Sequence, residues 1–141
     1  MHVFSGKDRK WTVVLERGEE VLSSLNKFAK EHGIRSGSVT GIGALDQVEL
    51  GFFHLNTQEY ARKHFGAQEF ELISLTGNIS LIEGEPFTHA HMQLADEEFR
   101  CLGGHLFSAK VAVTCELSVV DYGTEMHRQF DESIGLNLIK P

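Results

Sequence analysis

The chain has 141 residues, of which 41% are hydrophobic and 23% charged, and its formal net charge is −7. This composition is typical of a globular domain, so we expect a single domain over residues 1–141. The negative charge and the lack of a Lys/Arg cluster argue against autonomous binding to nucleic acid, because phosphate contacts require basic side chains. No apolar run reaches membrane-spanning length and no signal peptide is visible, which predicts a cytoplasmic protein without a membrane partner.

The first predicted elements are a strand and a helix. Trp11–Glu16 reads WTVVLE, a β-branched run that indicates a strand. Gly18–Gly33 has apolar residues at helical spacing, with Glu20 near its start and Gly33 at a position typical of a helix stop. The apolar stripe of this helix comprises Val21, Leu22, Leu25, Phe28 and Ala29. Such a stripe predicts packing against a core.

The rest of the chain is predicted to be mostly β-strand. Further strands are expected at Ser38–Ala44, Val48–Leu55, Glu69–Leu75, Ile79–Glu83, Pro86–Ala95 and Ala109–Val120, with a short strand at Asn56–Arg62 and a last short apolar segment at Ile134–Ile139. Turns are expected at 46–47 and 76–78, a short helical turn at 60–64, and a polar loop at 124–133. Because long helical crossovers are missing, the predicted fold is α/β of the α+β type: a central, mainly antiparallel sheet of about seven strands with one main flanking helix.

A His-x-His pair lies in the predicted strand Pro86–Ala95. His89 and His91 are two residues apart, so their side chains point to the same face of the sheet. Two imidazoles on one face can converge on one metal ion, and zinc or another first-row divalent metal suits such a pair. A lone histidine on a strand is more often a surface residue or a satisfied core residue, so the metal interpretation needs a third ligand.

The third candidate ligand is His105, which follows Gly103-Gly104. The polar run at 95–98 predicts a hairpin turn, so the chain should return antiparallel. A turn centred on Glu97 places His105 directly opposite His89 on the same face. A loop one residue shorter places it on the other face, unless a bulge at the two glycines restores it. A divalent metal site, with zinc the preferred ion, is therefore predicted at His89, His91 and His105.

Three histidines leave a fourth tetrahedral position open, which is typical of catalytic zinc. A metal-dependent enzyme, a hydrolase or lyase using zinc-activated water on a small molecule, is therefore an alternative to a binding or regulatory role. Glu71, Glu116 and His54 lie in predicted strands and are candidates for a general base or an outer ligand shell, although ordinary surface positions are the simpler interpretation. Cys101 is a weaker candidate for an extra ligand, because both cysteines are expected to be small buried residues.

The sequence resembles the PPC (plants and prokaryotes conserved) domain family over nearly its whole length. The matching stretches are GEEVLSSLNKFAKEHGI at 18–34, GIGALDQVELGFF at 41–53, EFELISLTGNIS at 69–80, PFTHAHMQLAD at 86–96, GGHL at 103–106 and FDESIGLNLIKP at 130–141. The resemblance implies a mainly antiparallel fold, a homotrimer and, at positions matching His89, His91 and His105, a metal that is often zinc. Glycine is common in this family at the position of Phe99.

The family resemblance also carries a DNA-binding association. In land plants the domain follows an AT-hook and mediates assembly of nuclear DNA-binding proteins, and many bacterial relatives carry a predicted DNA-binding label. This sequence has no Arg-Gly-Arg AT-hook core. A cupin is a competing interpretation, because Gly84, His89, His91 and Glu97 approach the cupin spacing. The helix at Gly18–Gly33 argues against a cupin, which would be a closed barrel with little helix.

Overall fold

The computed structural model describes residues 1–140, which form nine strands and one helix. In chain order these are β1 (His2–Ser5), β2 (Lys10–Glu16), α1 (Val21–Glu31), β3 (Gly37–His54), β4 (Glu59–His64), β5 (Phe70–Ile82), β6 (Glu85–Ala95), β7 (Cys101–Asp121), β8 (His127–Asp131) and β9 (Leu136–Lys140). The predicted helix and the mainly β character are confirmed, with nine strands where about seven were expected.

All nine strands belong to one sheet, and the pairing is antiparallel except for the contact of β5 with β8. The sheet follows the order β1-β2-β7-β3-β5-β8-β9, with β4 on β3 and with β6 between β5 and β7. Strands β3, β5, β6 and β7 are hydrogen-bonded in a closed circuit, because β6 pairs with β7 and β7 returns to β3. This circuit places β6 beside the first residues of β7.

Helix α1 packs one face against the sheet. Its buried residues are Val21, Leu25, Phe28 and Ala29, each fully removed from solvent. The Glu20 carboxylate caps the helix by accepting from the backbone N–H groups of Leu22 and Ser23, and Gly33 takes φ +65° just after the end. Each large buried side chain contributes roughly 1.5–3 kcal/mol to folding. No helix within residues 1–140 is long and apolar enough to span a membrane.

Two predicted turns are wrong, because the strands continue through them. The chain stays in β3 across Asp46-Gln47, where the pairing with β7 shifts register and Gln47 takes φ +47°. It also stays in β5 across Thr76–Asn78, where each residue pairs with β3 on one side and β6 on the other. The irregularity at Asp46-Gln47 is a register shift against β7, which bends a strand without ending it, whereas the ladders at Thr76–Asn78 are regular on both edges, and a turn would break both.

Two other local expectations are corrected. The segment 59–64 is strand β4 and contains no helical turn, because it pairs along its whole length with the end of β3. The predicted loop 124–133 contains strand β8, which forms a hairpin with β9. Strand β8 has no fully buried residue, so it lacks the apolar alternation by which strands are recognised in sequence.

Replacing Phe99 by glycine is expected to stabilise the fold by about 0.5–1 kcal/mol, because Phe99 has φ +61° and a side chain that is 88% exposed. Glycine adopts this conformation without the steric cost that a β-carbon brings, and little apolar burial is lost. Urea unfolding measures the change. The matched control is Gly84→Ala at φ +84°, which should destabilise by a similar amount. A destabilised Phe99→Gly variant would contradict the expectation.

Candidate metal centre

The three predicted histidines lie on one face of the β6–β7 hairpin. His89 and His91 alternate with Ala90 and Met92, which are buried in the core. His105 on β7 is the direct cross-strand partner of His91. The expected same-face arrangement is therefore present. Its register differs from the one predicted, because His105 faces His91 where a turn centred on Glu97 would have placed it opposite His89.

The hairpin turn explains the register. The backbone N–H of Phe99 donates to the carbonyl of Asp96, and the Asp96 carboxylate accepts from the N–H groups of Glu98 and Arg100. The turn is thereby centred one residue later than expected. The ladder is regular at Gly103 and Gly104, without the bulge considered from the sequence. A β-carbon on Gly103 would lie 2.6 Å from the Met92 carbonyl oxygen, so glycine permits the close strand approach here.

The histidine nitrogens are close enough to share one ion. One candidate ligand atom from each residue lies within 4.8 Å of the other two, and His89 Nε2 is 3.1 Å from His105 Nδ1. Zinc–nitrogen bonds of about 2.0–2.1 Å in a tetrahedral site put ligand nitrogens about 3.4 Å apart. The cluster therefore needs only small side-chain adjustments to meet zinc geometry.

The electrostatics of the cluster keep two histidines neutral. Burial lowers the pKa of His89 to about 4, with further lowering from Arg128 and His91. The pKa of His105 is likewise lowered to about 4, mainly by burial. The neighbouring histidines, Arg128 and Arg62 lower it further. Metal binding requires the unprotonated imidazole, so these two side chains are in their ligating form at neutral pH.

An aromatic wall stands beside His105. The rings of Tyr60 and Phe107 have centroids 5.0 Å and 4.8 Å from the His105 ring, and the Arg62 guanidinium lies 3.8 Å over Phe107. Gly51 makes room for this wall, because a β-carbon there would lie 2.4 Å from Phe107 and 2.9 Å from Tyr60. Burial raises the pKa of the Tyr60 hydroxyl. The wall shields one side of the cluster from water.

Arg128 from β8 contacts the other side of the cluster. Its Nη2 atom lies 3.3 Å from His89 Nδ1 and donates to Asn78 Oδ1 at 2.9 Å. Its Nε donates to Ser80 Oγ at 2.8 Å, and its Nη1 donates to the Asn137 carbonyl at 3.0 Å. These bonds fix the guanidinium against strands β5, β6 and β9. Arg128 is therefore fixed in position next to the Nδ1 atom of His89.

The cluster opens onto a shallow cavity of about 510 Å³ at His91. Its lining residues are Ser74, Thr76, His91, Met92, Gln93, Cys101, Leu102, Gly103 and Gly104. Thr76 is the cross-strand partner of His91, so a hydroxyl lies next to the histidine on the same face. A small molecule can thus reach the side of the cluster that the aromatic wall leaves uncovered.

Comparison with known proteins places the chain in a family. Residues 3–122 match the model of the Plants and Prokaryotes Conserved (PCC) domain. The chain belongs to the Plants and Prokaryotes Conserved domain family. Family membership confirms the predicted resemblance and decides against the cupin alternative.

Solved structures of this family share the whole fold. A proposed DNA-binding protein from Bacteroides thetaiotaomicron is 34% identical, with a TM-score of 0.93, 99% of this chain covered and 96% of the other. A plant- and prokaryote-conserved protein from Pyrococcus horikoshii is 34% identical, with a TM-score of 0.87, 99% of this chain covered and 95% of the other. A metal-containing protein from Archaeoglobus fulgidus is 32% identical, with a TM-score of 0.88, 99% of this chain covered and 97% of the other.

One curated protein also matches over part of its length. The bifunctional protein GlmU from Synechococcus sp. strain JA-3-3Ab is 25% identical over 119 residues, or 83% of this chain. The chain spans 18% of that protein's length. The match therefore concerns a segment the size of a single Plants and Prokaryotes Conserved domain.

The other sequence candidates lie outside the histidine cluster. Glu71 pairs with Ala95, four residues along β6 from His91, and Glu116 is eleven residues along β7 from His105. At about 3.3 Å per residue both are too distant to act on the cluster. His54 is exposed and packs edge-to-face against Phe52. Cys101 is exposed, which corrects the expected burial, and it borders the cavity without belonging to the ligand cluster.

Sequence reasoning missed four residues around the cluster: Tyr60, Asn78, Phe107 and Arg128. The sequence pattern predicts a turn at Asn78 and a loop at Arg128, and neither residue belongs to a recognisable motif. The one usable signal was strand alternation, because Phe107 lies two residues after His105 and therefore shares its face.

Proposed function

We propose that this Plants and Prokaryotes Conserved domain binds one divalent metal ion, preferably zinc, through His89, His91 and His105. The observation that carries the proposal is the convergence of three imidazoles on one sheet face with ligand atoms within 4.8 Å. An all-nitrogen donor set suits zinc. The metal-containing relative from Archaeoglobus fulgidus, whose structure covers 99% of this chain, supports the same proposal.

Isothermal titration of chelator-stripped protein without an affinity tag tests this proposal. We expect one zinc ion per chain. Binding of no zinc, or of several weakly held ions, would contradict it. At such a site the three histidines would hold the ion, and the wall of Tyr60 and Phe107 would exclude water from the His105 side.

A metal-dependent hydrolase or lyase is the second candidate function. It is favoured by the cavity beside His91, which gives a small molecule access to the open fourth position. Zinc bound there would lower the pKa of a coordinated water. No carboxylate among the described residues joins the ligand cluster, so this water would act without an acidic side chain as general base. Zinc-dependent cleavage of activated esters that is lost in His91→Ala would support catalysis.

We further propose a homotrimer, built through the sheet face opposite α1. Ile42 and Ile73 line one groove of that face and are 58% and 50% exposed, and Val113 on the adjoining strand is 69% exposed. Exposed large apolar side chains gathered on one face are typical of an interaction surface, and polar residues including Thr40, Glu116 and Ser118 line the same groove. The groove reaches the metal cavity through Ser74, which lines both. Assembly on this face would therefore bring subunits close to the metal centre.

Ile42→Asp is expected to reduce the assembly to a single chain, because a charge would be buried in an apolar contact. Light scattering coupled to size-exclusion chromatography measures the mass. The matched control is Phe130→Asp on β8, where the side chain is 62% exposed outside the groove, and this variant should keep the wild-type mass. A wild-type protein that elutes as a single chain would contradict the trimer.

Binding to nucleic acid is the last function to consider, because the Bacteroides relative is described as a proposed DNA-binding protein. The net charge of −7 gives phosphate little attraction. We propose that the domain does not bind DNA by itself. An affinity for duplex DNA that rises as the salt concentration falls would contradict this.

The cytoplasmic location stays a prediction that cell fractionation can test.

A further inference from the structure

Arg128 is a half-buried cation for which residues 1–140 supply no acidic partner. Its hydrogen-bond acceptors are Ser80 Oγ, Asn78 Oδ1 and the Asn137 carbonyl, all of them neutral. Within residues 1–140 it forms no ion pair. A charge removed from solvent is normally compensated by an opposite charge. An unpaired Arg128 beside the ligand cluster therefore favours binding of an anion there.

Arg62, the second arginine near the cluster, provides the contrast. Its Nε donates to the Glu49 carboxylate at 2.7 Å, and its guanidinium lies 3.8 Å over the Phe107 ring. The charge of Arg62 is therefore balanced within the chain. Of these two arginines, Arg128 alone has no carboxylate partner within residues 1–140 and can pair with an anionic ligand.

A divalent ion would increase the charge imbalance. Three neutral imidazole ligands contribute no negative charge, and no carboxylate among the described residues joins the ligand cluster. With the ion bound, the cluster and Arg128 together would carry a charge of about +3 against no carboxylate. From this charge balance, and resting on the proposed metal site, we propose that the open coordination position takes a small carboxylate ligand that Arg128 also binds.

The hydrogen-bond inventory of Arg128 agrees with a carboxylate. A guanidinium has five N–H groups and no acceptor. In Arg128 one N–H goes to Ser80, one to Asn137 and one to Asn78, and a fourth faces His89 Nδ1 at 3.3 Å. A neutral histidine that ligates through Nε2 carries its proton on Nδ1 and cannot accept from Arg128.

Metal binding would thus release the N–H that faces His89. A second N–H, on Nη1, has no acceptor among the described residues. Two free donors match the two oxygens of a carboxylate, the anion with which arginine forms paired bonds. The 510 Å³ cavity reaches the cluster at His91 and is not lined by Arg128, which contacts the cluster at His89. The carboxylate would therefore bridge from the ion to Arg128, and Thr76 and Gln93 in the cavity lining offer polar contacts to the rest of the ligand.

Cobalt-loaded protein tests this inference, because the visible absorption of tetrahedral Co²⁺ responds to a new ligand. We expect malonate to change the spectrum saturably. Arg128→Gln should retain cobalt and weaken malonate binding at least tenfold, since one charge-assisted contact is lost. The matched control Arg62→Gln should change malonate binding less than threefold, because Arg62 is already paired with Glu49.

The outcomes separate the two proposals. A wild-type protein that retains no cobalt would overturn both the metal site and the carboxylate inference. Cobalt retained without any response to malonate, or equal malonate binding in wild type and Arg128→Gln, would overturn the carboxylate inference alone. If Arg128→Gln does not fold, Arg128→Lys replaces it. Lysine keeps the charge without the planar fork, so an intermediate loss is expected and unchanged binding would overturn the inference.

Discussion

Zinc affinity is expected to fall at least 100-fold when His91 is replaced by alanine. Changes in the outer shell of metal sites already cost about 10–100-fold, and loss of a ligand should cost more. His91 is the exposed member of the cluster, so its removal leaves the core and the contact between Arg128 and His89 in place. Competition with a chromophoric chelator measures the affinity.

His54→Ala is the matched control for this prediction. His54 is also an exposed histidine on a strand, but it packs edge-to-face against Phe52 and does not belong to the ligand cluster. The zinc affinity of the His54→Ala variant should stay within threefold of that of the wild type. Equal losses in both variants would indicate nonspecific binding to surface histidines, and an unchanged affinity in His91→Ala would remove His91 from the ligand set.

Zinc binding is expected to persist at pH 5.5. At that pH a histidine with the ordinary pKa of about 6.5 is protonated about ten to one, so two such ligands would weaken zinc binding about 100-fold. His89 and His105, with pKa values of about 4, stay neutral and together contribute less than about twofold. Calorimetry in buffers of different ionisation enthalpy counts the protons released. We expect at most about one proton to be released for each zinc ion bound, and release of two or more protons would contradict the lowered pKa values.

The same pKa values give the metal-free fold a pH dependence. His89 and His105 bind protons less readily in the folded chain than in the unfolded chain, where the pKa is about 6.5. Their contribution to stability is therefore complete above about pH 6.5 and is lost as the pH falls towards 4. Chemical unfolding of the stripped protein across this range should show stability falling with pH.

The histidine site was predictable because it depends on local rules. Strand alternation puts His89 and His91 on one face, and a hairpin brings His105 back beside them. The exact partner of His105 was not predictable, because the turn is centred by the Asp96 carboxylate and by a positive φ at Phe99, a residue type that seldom adopts it.

The surroundings of the site could not be read from the sequence, because they depend on distant pairings. Arg128 reaches His89 only because β8 pairs with β5 by a single parallel bridge at Leu81 and His127. Tyr60 and Phe107 meet above Gly51 because the pairing of β3 with β7 shifts register before that residue. Register shifts and isolated bridges have no periodic signature, so pattern analysis finds neither.

X-ray absorption spectroscopy of the zinc-loaded, untagged protein tests the central claim most directly. The proposed site predicts three imidazole nitrogens at about 2.0–2.1 Å and one additional oxygen ligand around each zinc. A sulfur ligand in the first shell, or fewer than two imidazoles, would contradict a metal site built from His89, His91 and His105.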